Sequence, residues 1–327
     1  MASFRRVLGK RIFNAFITII MIMLLNFALF RIMPGDPAQL MVPHKPGVPD
    51  ALYWRNVEKM GLNDTWPEQL GKYFYQTFTG NWGVSFTYER PVIEVMGDAM
   101  TWSILLLSVS SILTFVGGMA LGKLAARKRG KSLDVSITGF GLFFYGMPIF
   151  WFGIVLMVIF VAWLNWFPAA LPITSGVKPF PLTLDKLGDI SLHMVLPAIT
   201  LTIGSIAGIV LIMRNSLVDV LTEDYITTAY AKGLSEKEVM KRHASPNARL
   251  PMVTTIAMDT AFILGGAFQV EWVFSYRGIG WETITAIEFM DYPMLQFIFL
   301  IGGVAVVLAN LLADLILVKL DPRVEIT

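Results

Sequence analysis

"YITTAYAKGLSEKEVMKRHASPNARLP", residues 225–251, is a charged, sharply punctuated segment between two long apolar runs. Ser235-Glu236-Lys237-Glu238 has the form of a capping box. Ser235 can accept from the amide of residue 238, and the Glu238 carboxylate can reach back to the amide of Ser235. Leu234 and Val239 take the staple positions on either side. Acids fill the first turn while Lys241, Arg242 and His243 fill the last, which suits the helix macrodipole. Glu238 and Arg242 stand four apart in the favourable order. Gly233 breaks the chain before the cap. Ser245-Pro246 is expected to end the helix, because a residue before Pro avoids helical geometry. The result is a helix of about nine residues, ~13 Å long, too short to be stable alone in water. Either it lies on the chain's own loops, or its apolar patch of Val239, Met240 and Ala244 enters a groove in another protein. The surrounding charges favour the second expectation.

The flanks of this segment set its surroundings. The chain of 327 residues is 55% hydrophobic and 15% charged, with a mean hydropathy of +0.62. Soluble domains carry about 25% charged residues, so lipid is the expected main solvent. A spanning helix needs about 20 mostly apolar residues. Six runs qualify: 12–30, 101–122, 135–165, 192–213, 250–270 and 294–318. The third is long, and its Gly139, Gly141, Gly146, Pro148 and Gly153 predict a bend or break. The first follows Arg5, Arg6, Lys10 and Arg11 and leads into "RIMPGDPA" with no small-residue cleavage site, so it reads as an uncleaved helix and not a signal peptide. The net charge of +2 gives no basis for nucleic-acid binding.

Lysine and arginine orient the spans. With the N-terminus inside, seventeen fall in the inner segments (1–11, 123–131, 214–249, 319–323) and eight in the outer ones. The short loops carry this signal. Both termini are therefore expected in the cytoplasm of a multi-pass cell-membrane protein, and 225–251 faces inward.

The outer segment before the second span holds Tyr53, Trp54, Trp66, Tyr73, Phe74, Tyr75, Trp82, Phe86 and Tyr88. It reads equally as an interfacial aromatic belt with a small packed subdomain or as a docking surface for an extracytoplasmic partner. "RKRGKS" (127–132) contains Gly-Lys-Ser, but Ala125 stands where a phosphate-binding loop needs its first Gly; it reads as a basic inner anchor. The three histidines, 44, 193 and 243, have no partner at metal-ligand spacing, and there is no cysteine, so no metal site is assigned. Acids within or beside spans are functional candidates by default. Asp314 reads first as a structural polar contact near Asn310 and Lys319. Asp259 can face a pore or a partner, and Glu271 can steady the outer aromatic loop or meet a substrate amine.

Thr227–Gly233, "TTAYAKG", resembles the coupling-loop signature E-A-A-x-x-x-G of ABC importer permeases. It keeps Ala229 and Gly233 and lacks the Glu. The full 225–251 segment is similar to that of dipeptide and oligopeptide permeases of the B type. Ser245-Pro246 departs from the family's usual pair. "MPGDPA" (33–38), residues 61–86, "LGGAFQVEWVFSYRGIG" (264–280, with Arg277 where Pro is usual) and "NLLADLILVKLDPRVE" (310–325) resemble the same family in order. The resemblance implies an all-α, six-helix permease of the type I importer kind. Residues 1–33 would be the inner terminus and first helix, 34–100 the extracytoplasmic segment, and 101–327 a five-helix permease domain with coupling loop 214–249. It further implies a second related permease chain, two cytoplasmic ATPases carrying ATP and Mg, and an extracytoplasmic substrate-binding protein, with no cofactor on this chain. The implied ATPase contact comprises Ala229, Gly233, Leu234, Ser235, Glu238, Val239, Met240, Arg242 and His243. Peptides are the implied cargo; oligosaccharides and nickel complexes are carried by relatives. A secondary transporter would need paired broken helices in two halves, and a membrane enzyme a nucleophile with a matched base at bilayer depth. Neither pattern is evident.

Overall fold

The computed structural model describes residues 4–32, 53, 54, 57, 63–177, 179, 180, 182–249, 251, 252, 255 and 267–320. Among them the regular elements are helical, apart from one isolated bridge between Val84 and Pro91. In chain order they are α1 (Phe4–Ile32), α2 (Trp66–Thr79), α3 (Val92–Arg127), α4 (Ser132–Tyr145), α5 (Ile149–Met157, widening into a π turn at Val158–Trp163), α6 (Leu184–Val220) and α7 (Asp224–Ala231). Three consecutive segments, Glu236–Val239, Met240–Ala244 and Ser245–Ala248, make up α8. Then follow α9 (Phe268–Val273), α10 (Ile279–Glu288) and α11 (Tyr292–Leu320).

Among the described residues four helices, α1, α3, α6 and α11, are long and apolar enough to cross a bilayer, and α4 with α5 makes a fifth candidate bent by 95°. That bend falls at Gly146-Met147-Pro148, where sequence predicts it: Pro148 lacks an amide hydrogen and biases the residue before it out of helix. The expected span over 250–270 lies mostly outside the described residues, as does Asp259. Asp314 lies on α11, four residues after Asn310. Outward-facing side chains such as Phe13, Val116 and Phe143, each more than 60% exposed in the isolated chain, suit lipid.

The central packing is α3 against α6. A methyl on Gly118 would come within 2.7 Å of Ile209 Cγ2, and one on Gly122 within 2.7 Å of the Val210 carbonyl oxygen. Small residues at these positions let the two backbones approach, the usual basis of helix association in lipid. Both helices overrun the runs read from sequence, because their polar ends remain helical beyond the apolar stretch.

An ion pair with a buried carboxylate ties α4 to α6. Arg214 of α6 donates to Asp134 of α4 through Nε (2.6 Å) and Nη2 (2.7 Å), and the Gly130 amide adds a third bond to Asp134 (2.9 Å). The fork geometry gives direction as well as strength, and it pins the 128–131 turn to α6.

Candidate functional site

The module expected on the inner side is built from α7 and α8. Gly233 has φ +81, a left-handed conformation that glycine adopts with no Cβ penalty. Its amide donates to the Tyr230 carbonyl (2.9 Å), and the Leu234 amide reaches back to Ala229 (3.3 Å). This is a Schellman turn, in which Ala229 and Leu234 sit at the positions that make the accompanying apolar contact. A Cβ on Gly233 would meet nothing within 4 Å, so conformation and not crowding within the chain calls for glycine there. Ser235 then caps α8 as read from sequence. Its Oγ accepts from the Glu238 amide (3.4 Å), and its own amide donates to Glu238 Oε2 (3.0 Å). The Ser235 hydroxyl and then its amide hold the Glu238 carboxyl below the usual carboxylate range.

Two expectations are corrected. The helix does not end at Ser245-Pro246. Residues 239, 240, 244 and 245 are all right-handed helical, and Pro246 falls in the first turn of the last segment of α8. The π turn at 240–244 shifts the hydrogen-bond register just ahead of the proline, where its missing amide would otherwise break the ladder. His243 therefore lies inside the helix, its carbonyl accepting from Asn247 (2.9 Å). The second correction concerns the apolar patch. Val239, Met240 and Ala244 are buried in the chain's own core with Met213, Leu217, Ile226, Ala229 and Ala248. The patch holds α8 onto α6 and α7. Glu236, Lys237, Lys241 and Arg242 are exposed on the opposite side, so the open surface of α8 is charged.

At the other end of the fold Glu271, in α9, is fully buried. Its Oε1 accepts from Ser103 Oγ (2.6 Å) and the Ala267 amide (3.3 Å), and its Oε2 from the amides of Gly280 (2.7 Å) and Trp281 (3.2 Å). Ser103 Oγ in turn accepts from the Ile279 amide (2.8 Å). The first three amides of α10 are orphan donors, and Gly278 at the cap has no side chain to serve them. Glu271 and Ser103 do so instead, binding α3, α9 and α10 together. Of the two roles open to Glu271 from sequence, this geometry is that of steadying the outer loop. Asp291 does the same one element later: it accepts from Ser85 Oγ (2.5 Å), the Thr87 amide (3.0 Å) and the Met294 amide (3.3 Å).

His193 of α6 lies within 3.0 Å and 2.9 Å of the Ala170 and Leu171 carbonyls through Nδ1. Its Nε2 lies 3.5 Å from Asp189, which also accepts from Thr174. The histidine and Asp189 thus fasten residues 170–174 to α6. Among the described residues no group of His, Asp or Glu could hold a metal ion. Midway along the bundle, α3 and α6 border a cavity of about 400 Å³ onto which Tyr145 and Thr255 also open.

The partnerships of Asp134, Ser103 and Asp291 carry no motif and were not legible in sequence.

Residues 118–326 match the family described as the binding-protein-dependent transport system inner membrane component, and residues 4–106 match its N-terminal companion. The chain is 35% identical to the dipeptide transport system permease protein DppB of Escherichia coli K12, over 94% of this chain and 95% of that one. It is 32% identical to a probable peptide ABC transporter permease protein of Sinorhizobium fredii, y4tP, over 97% and 98%. A solved structure of the MetNI methionine ABC transporter, inward facing, shares the fold with a TM-score of 0.54 at 15% identity, covering 70% of this chain and 97% of that chain.

Proposed function

This chain belongs to the binding-protein-dependent transport system inner membrane components, and from that membership we propose that it is the pore-forming subunit of an ATP-driven importer of short peptides. The near-full-length similarity to permeases named for dipeptide and peptide transport supports the cargo. The same importer class with oligosaccharide or nickel-complex cargo is the second reading. The chain is multi-pass, and the lysine and arginine asymmetry supports an orientation with both termini and the 214–249 loop in the cytoplasm.

The observation that carries the coupling role is the construction of α7 and α8. A Schellman turn, a capping box and a buried apolar anchor fix a short helix with a charged outer face at the inner end of α6. In this reading Ala229, Gly233 and Leu234 shape the turn, and Ser235 and Glu238 start the helix. Val239 and Met240 key it into the bundle, while Arg242, with His243 beside it, faces an ATPase. Two ATPases with ATP and Mg would supply the work, and closure of that pair would move α8 as a rigid body. A second related permease chain would complete the pore and a substrate-binding protein would deliver peptide to the outer side, against the 34–100 segment. Asp259 and Asp314 remain candidates for polar contacts inside the 101–327 permease domain.

Reconstitution tests the reading. Proteoliposomes containing this chain, its partner permease, the ATPases and the binding protein take up dipeptide with ATP, and omission of any component abolishes uptake. The purified chain alone hydrolyses no ATP. Vanadate-sensitive hydrolysis by the chain, with no partner detectable by mass spectrometry, would contradict it.

A further inference from the structure

Resting on the importer reading, we propose that Asp134 and Arg214 form a strut that passes the motion of α8 to α4, with the break at 146–148 as its joint. They are positioning residues for coupled transport. One turn of α6 carries both attachments. Met213 and Leu217, four residues apart and so on one helix face, are fully buried in one cluster with Val239, Met240, Ala244 and Ala248 of α8. Arg214, between them in sequence and turned to another face, donates two bonds to Asp134 of α4. Because α6 is one helix from Leu184 to Val220, a displacement of α8 that shifts this turn shifts Arg214 with it.

A second contact lies seven residues away on each helix. A methyl on Gly141 would come within 3.3 Å of the Ala207 Cβ. The step from 134 to 141 pairs with the step from 214 to 207, so α4 and α6 run antiparallel and in register over about two turns. The ion pair fixes that register. In lipid, apolar side chains gain little from choosing protein over acyl chains. α4 turns Leu133, Val135, Phe140 and Phe143 outward in the isolated chain, and such a surface resists sliding weakly. A forked Arg–carboxylate pair holds one orientation. With Asp134 3% exposed, parting it from Arg214 strands a buried charge.

The two ends of α4 suit an arm that moves. At its start Asp134 also accepts from the Gly130 amide, so the turn from α3 belongs to the same tie. At its end is the 95° break. Pro148 offers no amide hydrogen there, and a few residues at the ends of elements are what absorb the dihedral change of a hinge. Rigid helices joined by a salt bridge are physical carriers of coupling between separated sites.

The test uses the complete complex in proteoliposomes, with the partner subunits freed of cysteine. Spin labels are placed on this cysteine-free chain at Ser136→Cys of α4 and Lys232→Cys in the turn before α8, both exposed. With the pair intact, their separation is the same with and without ATP. Asp134→Leu with Arg214→Met replaces the pair by apolar side chains, a change that is often neutral in stability for buried ion pairs. That complex assembles and hydrolyses ATP, its label separation changes with ATP, and the ATP used per peptide rises by about tenfold, within the range of coupling free energies between sites. Arg214→Lys, which keeps the charge and loses the fork, falls between. In Asp134→Cys with Arg214→Cys, a short bifunctional thiol reagent restores the wild-type ratio and a reagent that caps each thiol singly does not; a merely structural pair would show no such difference. A separation that changes with ATP in the native pair, a double apolar variant with the wild-type ATP per peptide, or a bridge without rescue would overturn the strut and leave the importer reading standing. If the double apolar variant does not assemble, the label separation in the native pair decides alone. Absence of any peptide uptake by the wild-type complex would overturn both.

Discussion

Val239→Asp removes transport by taking the inner module apart. Val239 is fully buried among Met213, Leu217, Ile226 and Met240. A carboxylate there has no partner, and an uncompensated buried charge costs several kcal/mol. A helix of this length has no stability of its own to set against that cost. Val239→Ala, which loses methyl contacts and leaves a small cavity, costs about 2 kcal/mol and retains part of the activity. The measurement is limited proteolysis of membranes with co-purification of ATPases. The aspartate variant becomes cleavable within 225–249 and loses its ATPases, while the spanning helices stay inserted. A variant as protease-resistant as wild type would show that α8 is not anchored by its apolar side.

The second large effect is at Glu271. In Glu271→Ala, the amides of Gly280 and Trp281 and the Ser103 hydroxyl lose their acceptor inside the protein. Each unsatisfied buried group costs about 1–3 kcal/mol before relaxation, so a loss of about 3 kcal/mol in local stability is expected. That corresponds to about 100-fold faster hydrogen exchange at the Gly280 and Trp281 amides. Glu271→Gln keeps an acceptor oxygen and a similar shape, and its effect is smaller. Exchange at those two amides that matches wild type in Glu271→Ala would mean the cap on α10 is held by something else. If Glu271 instead met a substrate amine, the alanine variant would change substrate preference and leave the exchange rates alone.

Local features were legible in the sequence, and partnerships across the chain were not. Ser235 with Glu238 and Gly233 before them are interactions over three residues, so a linear reading reaches them. The break at Gly146–Pro148 follows from backbone chemistry at those residues. Pro246 misled because the rule against helix before proline is a bias, and a π turn upstream absorbs the conflict. Val239, Met240 and Ala244 were recognisable as an apolar stripe, but a stripe on a short helix does not say whether the groove it fills belongs to the same chain. Its own core filled it. Asp134 and Arg214 meet across 80 residues, and Ser103 and Glu271 across 168; each looks like an ordinary polar residue near a span end until the helices pack. The cavity bordered by α3 and α6 is likewise a property of helices packed together.

In the importer reading the charged outer face of α8 meets an ATPase on the cytoplasmic side. Cross-linking from single cysteines in this cysteine-free chain tests it most directly. In the transport-competent complex, Lys237→Cys and Arg242→Cys should each give one adduct with an ATPase subunit, at a yield that changes when ATP is bound. Tyr75→Cys, exposed on α2, should give none and should be labelled from outside intact cells. An active complex in which neither α8 position cross-links to an ATPase, or in which Lys237→Cys is labelled from outside by an impermeant reagent, would contradict the account.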